Sequence, residues 1–134
     1  MTIYTKQNLY VTQITGPQIP TAATNIIQIH DNKQMNNPTH TIIGIYRRPH
    51  PHPDFLQKLQ SLIDHIYTVS PTTSITIIGD INLNLLSPTH ALTNFLNENE
   101  LNTTITTPTR YDPHHNTASL IDVILTTLNQ TAAT

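Results

Sequence analysis

Apolar residues in this chain fall into short, dense runs set apart by long polar stretches. Three runs are brief and rich in β-branched residues: Thr41 to Tyr46, Ile75 to Ile78, and Ser119 to Thr126. Each is too short for a helix and is bounded by polar residues or proline, so each predicts a buried strand. Two further candidate strands lie upstream, Ile3 to Ile14 and the loosely alternating Asn25 to His30. A different period begins at Phe55. Phe55, Leu56, Leu59, Leu62, Ile63 and Ile66 stand at i, i+1, i+4, i+7, i+8 and i+11. That spacing predicts one apolar face of a helix opened by Pro53-Asp54. Ala91 to Glu100 predicts a shorter helix carrying Leu92, Phe95 and Leu96.

The connections are marked by Gly, Pro and polar residues. Gly16 to Pro20 reads as a loop and Asp31 to His40 as a long hairpin connection. Arg47 to Pro53 alternates proline, which removes donors and fixes φ, so it is neither helix nor central strand. Leu101 to Thr107 reads as extended, Pro108 to Asn116 as a loop, and Asn129 to Thr134 as a frayed polar tail. Strand, helix, strand, helix, strand predicts an α/β sheet with helices packed against one face.

At 134 residues the chain is one domain or part of one. Charged residues are only 10%, against a usual quarter or so, and Thr, Asn, Gln and Ser fill the deficit. A net charge of −2 with neutral His provides no global basic field. Any nucleic-acid role must therefore use local Arg and Lys or metal-bridged phosphates. With no Cys there is neither a disulfide framework nor a thiolate metal site. The start lacks an apolar core for a signal peptide, and no run approaches a membrane span. The expectation is an intracellular protein, nuclear or cytoplasmic and not secreted, with no membrane partner.

The chemistry gathers at Gly79-Asp80-Ile81-Asn82, where the run Ile75 to Ile78 stops at a residue with no side chain. Two readings are open. Asp and Asn are common in turns because their side chains bond nearby backbone. Alternatively, alternation sets Asp80 and Asn82 on one face, where a carboxylate beside an amide suits a hard cation or a water attacking phosphorus.

Four pieces then line up in order: Ile43-Gly44-Ile45-Tyr46-Arg47-Arg48-Pro49, Gly79-Asp80-Ile81-Asn82, Thr107-Pro108-Thr109-Arg110 and Ser119-Leu120-Ile121-Asp122-Val123-Ile124. The series resembles the endonuclease/exonuclease/phosphatase superfamily, the DNase I-like fold, and within it the endonuclease domain of non-LTR retrotransposons. The resemblance covers about residues 40–127 well and the first forty by pattern only. It implies a DNase I-like β-sandwich flanked by helices, with residues 1–128 forming its middle-to-C-terminal part and 129–134 a tail.

Carried over residue by residue, the resemblance implies that Asp80 polarises or deprotonates an attacking water and that Asn82 holds that water or the scissile phosphate. Tyr46 would touch the phosphate through its hydroxyl, or else pack its ring with the hydroxyl in water. Asp122 would accept a bond from a catalytic His and fix its tautomer; a lone carboxylate among apolar neighbours is costly to bury without a partner, though its side chain could instead face solvent. Arg110, Arg47 and Ser119 would bind substrate, with Arg48 beside them, or stand solvated. Asp80 is the candidate metal ligand, and Mg²⁺ the implied cofactor. A separate His-rich metal site would draw on His50, His52, His114 and His115.

The resemblance also implies an upstream metal-binding Glu and a downstream Ser-Asp-His segment. These 134 residues match neither. The expected function is thus an Mg²⁺-dependent DNA endonuclease domain, incomplete and weak or inactive by itself, with DNA and a linked reverse transcriptase as partners. Two rivals are a non-catalytic binding remnant and a phosphomonoesterase of the same fold. A half-sandwich is also expected to leave one sheet face uncovered and the chain poorly soluble.

Overall fold

The computed structural model describes residues 2–6, 9–30, 38–49 and 53–128. Its eight strands are β1 (Tyr10–Ile14), β2 (Ala22–His30), β3 (His40–Arg47), β4 (Ser74–Asp80), β5 (Asn102–Thr103), β6 (Arg110–Asp112), β7 (Thr117–Ser119) and β8 (Asp122–Thr126). Helix α1 (Phe55–Val69) lies between β3 and β4, and α2 (His90–Glu98) between β4 and β5. Six strands form one mixed sheet in the order β1-β2-β3-β4-β8-β5, while β6 and β7 form a separate hairpin. Among the described residues only β3 and β4 pair in parallel, and α1 is the crossover between them. The architecture is α/β, a mixed sheet with two helices.

Helix α1 forms where the 3.6-residue period predicts it, and its stripe is what holds the sheet. Phe55, Leu59, Leu62, Ile63 and Ile66 are buried against Ile43, Ile45, Ile75 and Ile77. Burying each such side chain stabilises by about 1.5–3 kcal/mol. Helix α2 starts at Thr89, whose side chain accepts from the Leu92 amide at 3.2 Å. Its Leu92 and Phe95 join the same core. Gln60 and Asn99 bond each other through both amides, at 3.0 and 2.6 Å, and so tie α1 to the end of α2.

Alternation leaves the other sheet face to Ile27, Ile29, Ile42, Gly44, Ile78 and Ile124. Both helices join the core on the opposite side, and Ile78 is 41% exposed. Thr2, Ile3 and Tyr4 border a groove of about 450 Å³ on this face with Ile42, Gly44, Ile78 and Gly79. Of the residues on this face Ile78 is exposed, Ile29, Ile42 and Ile124 are half-buried, and Ile27 and Gly44 are buried, so the face is only partly uncovered among the described residues.

Several boundaries differ from expectation. Strand β1 begins only at Tyr10, and residues 2–6 join no ladder. The stretch expected as a loop, Pro108 to Asn116, contains β6, which pairs with β7. Here Asp112 Oδ1 accepts from the His114 amide, and Asn116 takes a positive φ of 49°, so the polar run folds as a tight hairpin tip. The expected last strand is consequently split. Ser119 belongs to the hairpin, and β8 starts at Asp122, because Leu120 and Ile121 give their backbone bonds to the loop after β4. His50, His52, most of the connection expected at Asp31 to His40, and the tail Asn129 to Thr134 lie outside the described residues. No helix among the described residues is long and apolar enough to cross a membrane.

Candidate functional site

Three of the residues singled out in the sequence stand in one row across the sheet. Tyr46 at the end of β3 is the ladder partner of Asp80 at the end of β4. Asp80 is in turn the partner of Asp122 at the start of β8. Each is flanked by buried neighbours: Ile45 and Arg47, Gly79 and Ile81 (half-buried and buried), and Ile121 and Val123. All three side chains therefore leave the sheet on the face away from α1. Neighbouring strands lie about 4.8 Å apart, so the row spans roughly 10 Å. Tyr46 is 48% exposed, Asp122 is exposed, and Asp80 is half-buried.

Gly79 makes this packing possible. Its φ is 140°, and a Cβ there would stand 1.9 Å from the Ile45 carbonyl oxygen. No side chain fits, so the approach of β3 and β4 just before the row requires glycine.

Asp80 and Asn82 come together by a turn rather than by strand alternation. The chain leaves β4 at Asp80, and Asn82 adopts a left-handed φ of 49°. The Asn82 amide donates to Asp80 Oδ1 at 2.9 Å. The Asn82 side chain donates from Nδ2 to the Arg47 carbonyl at 2.7 Å. The structure thus bears out the turn reading of this stretch, a side-chain turn at the end of a core strand, and not the pairing of Asp80 with Asn82 by alternation. Asp80 Oδ2 and Asn82 Oδ1 have no hydrogen-bond partner among the described residues.

Arg47, expected at the substrate, is turned into the protein. It is 6% exposed, its Nη1 donates to the carbonyls of Ile81 (3.3 Å) and Asn82 (3.2 Å), and its guanidinium carbon lies 4.8 Å from the Phe55 ring centroid. Burial lowers its pKa from the usual value. Arg48 next to it is exposed. Arg110 is exposed on β6, opposite half-buried Ser119 on β7. The residue between Pro108 and Arg110 does the structural work. Thr109 Oγ1 accepts from the amides of both Ile121 and Asp122 at 3.2 Å, which fixes the start of β8. Asn84 acts likewise, its Oδ1 accepting from Leu86 and Leu120. Sequence reasoning missed Thr109 and Asn84; the only signal was the frequency of such residues in turns.

The Asp122 carboxylate faces solvent, and no histidine among the described residues bonds to it. His115 instead pairs with Asp112 at 2.7 Å on the hairpin tip. That bond, above all, lowers the Asp112 pKa from the ordinary carboxylate value, while burial opposes it. Among the described residues no group of three or more His, Asp or Glu is placed to hold a metal. Asp80 and Asp122 still offer hard oxygen ligands side by side. Mg²⁺ takes one or two carboxylates, keeps several waters and leans on substrate phosphate, so this donor set fits it.

No family model matches the sequence, and no curated protein matches it. Among solved structures the chain is similar to an endonuclease/exonuclease/phosphatase family protein from Leptotrichia buccalis C-1013-b, at 12% identity with a TM-score of 0.49. The likeness covers 93% of this chain, which spans 61% of that one.

Proposed function

We propose that the end of the sheet bearing Tyr46, Asp80 and Asp122 is the phosphate-handling part of a DNase I-like, Mg²⁺-dependent hydrolase that cuts DNA phosphodiesters. The observation that supports this is the row itself, in which three neighbouring strands place a phenol and two carboxylates on one face. Asp80 keeps Oδ2 free to take a proton from an attacking water, and Asn82 Oδ1 can orient that water. The Tyr46 hydroxyl donates to a phosphate oxygen, and Arg110 makes a charge-assisted contact to the DNA backbone. Asp122 would hold Mg²⁺ beside Asp80, and the ion would supply charge neutralisation at the phosphate.

The test is nicking of supercoiled plasmid by the purified chain with Mg²⁺, beside EDTA and Asp80→Asn. The Asn variant retains an Oδ1 acceptor for the Asn82 amide, so the turn survives while the charge goes. Slow nicking that disappears in both controls is the expected result. A parallel Mn²⁺ titration of the labelled chain should broaden the resonances of Tyr46, Asp80 and Asp122 first. Broadening there without nicking would make the chain a binding fragment. Release of phosphate from p-nitrophenyl phosphate without nicking would make it a phosphomonoesterase. Broadening elsewhere, with no nicking, would overturn the assignment of the site.

A further inference from the structure

Arg47 follows Tyr46 directly, and alternation sends its side chain through the sheet to the opposite face. There it meets the backbone of the turn that carries Asp80 and Asn82. The contact runs both ways: Arg47 Nη1 donates to the carbonyls of Ile81 and Asn82, and the Arg47 carbonyl accepts from Asn82 Nδ2. One residue thus holds the turn by main chain and side chain together.

The geometry needs such a hold. Asn82 sits at a φ of 49°, which Asn tolerates but does not favour over the right-handed region. A buried guanidinium is itself costly, and here its face stacks on Phe55, the first residue of α1. The Phe55 ring is in turn buried in the core. The turn is therefore anchored through Arg47 to the hydrophobic core. A lysine would supply charge, but neither the flat fork nor the stacking plane.

We propose that Arg47 is a positioning residue for the Asp80–Asn82 turn: it holds Asn82 in its left-handed conformation, keeps the Asp80 carboxylate bonded to the Asn82 amide, and does not contact substrate. The role in catalysis rests on the reading of the Tyr46–Asp80–Asp122 row as a phosphate site; the grip on the turn does not.

The experiment compares amide hydrogen exchange in the isotope-labelled full chain and in Arg47→Ala and Arg47→Lys. In Arg47→Ala the Asn82 amide is expected to exchange at least ten times faster, with the ladder amides of β2 and β3 unchanged and Arg47→Lys intermediate. If the alanine variant does not fold, the lysine variant carries the same comparison. Unchanged exchange at Asn82, or an equal rise at Asn82 and throughout the core, would overturn the proposal. Plasmid nicking supplies the second readout: kcat should fall while KM for DNA holds. A rise in KM at constant kcat would make Arg47 a substrate contact and overturn the proposal. If the parent chain does not nick and Mn²⁺ broadens resonances elsewhere than at this row, the phosphate-site reading fails, and the exchange result still decides whether Arg47 holds the turn.

Discussion

Asp80 and Asp122 are direct partners across the antiparallel β4–β8 ladder, so two carboxylates stand side by side on the sheet face opposite α1. Like charges opposite one another destabilise a sheet, and cross-strand pairs are worth roughly 0.2–1 kcal/mol. A divalent cation bound against the pair would offset that repulsion. Asp122→Asn is therefore expected to raise the melting temperature slightly in EDTA. Mg²⁺ should raise the melting temperature of the parent chain and leave that of the variant nearly unmoved. Equal Mg²⁺ shifts in both proteins would show that the pair does not bind the ion.

Two substitutions separate the backbone demands on either side of Asp80. Gly79→Ala pushes a Cβ to 1.9 Å from the Ile45 carbonyl oxygen, at a φ of 140°. The strain and clash together should cost about 4 kcal/mol or more, among the largest effects of single substitutions. The expected result is insoluble expression or a melt lowered by many degrees. Asn82 differs, since a left-handed φ suits glycine better than alanine. Asn82→Gly should melt higher than Asn82→Ala by about 1 kcal/mol, both lacking the bond to the Arg47 carbonyl. The reverse order would mean that the turn is not held left-handed in solution.

The central elements were legible because their periods are long enough to show. Six apolar positions from Phe55 to Ile66 define α1, and the runs at Ile43 and Ile75 define the parallel pair. The row was legible in part: Tyr46, Asp80 and Asp122 were named from motifs, but that they are ladder neighbours depends on β8 pairing back onto β4. Arg47 was placed with substrate for standing beside Tyr46. Strict alternation already turns it inward once Tyr46 points out. Thr109 and Asn84 left no trace because each acts through one side-chain oxygen, in a chain where Thr and Asn are everywhere. The hairpin β6–β7 looks like loop in the sequence because its strands are three residues each, too short for alternation to register.

The hairpin tip gives a pH prediction. The bond from His115 lowers the Asp112 pKa, with the His114 amide adding to it. A depressed carboxylate stabilises the folded tip above the unfolded-state pKa, and this contribution is lost as pH falls through the folded value. An NMR titration of Asp112 should thus show its midpoint below that of an ordinary Asp, with the Asn116 and Thr117 shifts following it in the acid range. His115→Ala should return most of the midpoint toward the ordinary value. The pair is exposed, so the global melt should change little.

Ile78 presents the last test. It is 41% exposed on a face that also carries half-buried Ile42 and Ile124 and buried Gly44, and among the described residues Thr2, Ile3 and Tyr4 border the groove there. A contiguous apolar patch of this kind drives association. Ile78→Thr keeps a β-branched residue in a central strand, so stability should stay within about 0.5 kcal/mol, as for most surface changes. Light scattering should then show less self-association than in the parent chain at equal concentration. A parent chain that stays monodisperse at high concentration, with no gain in the variant, would mean that this face is already covered within the chain itself.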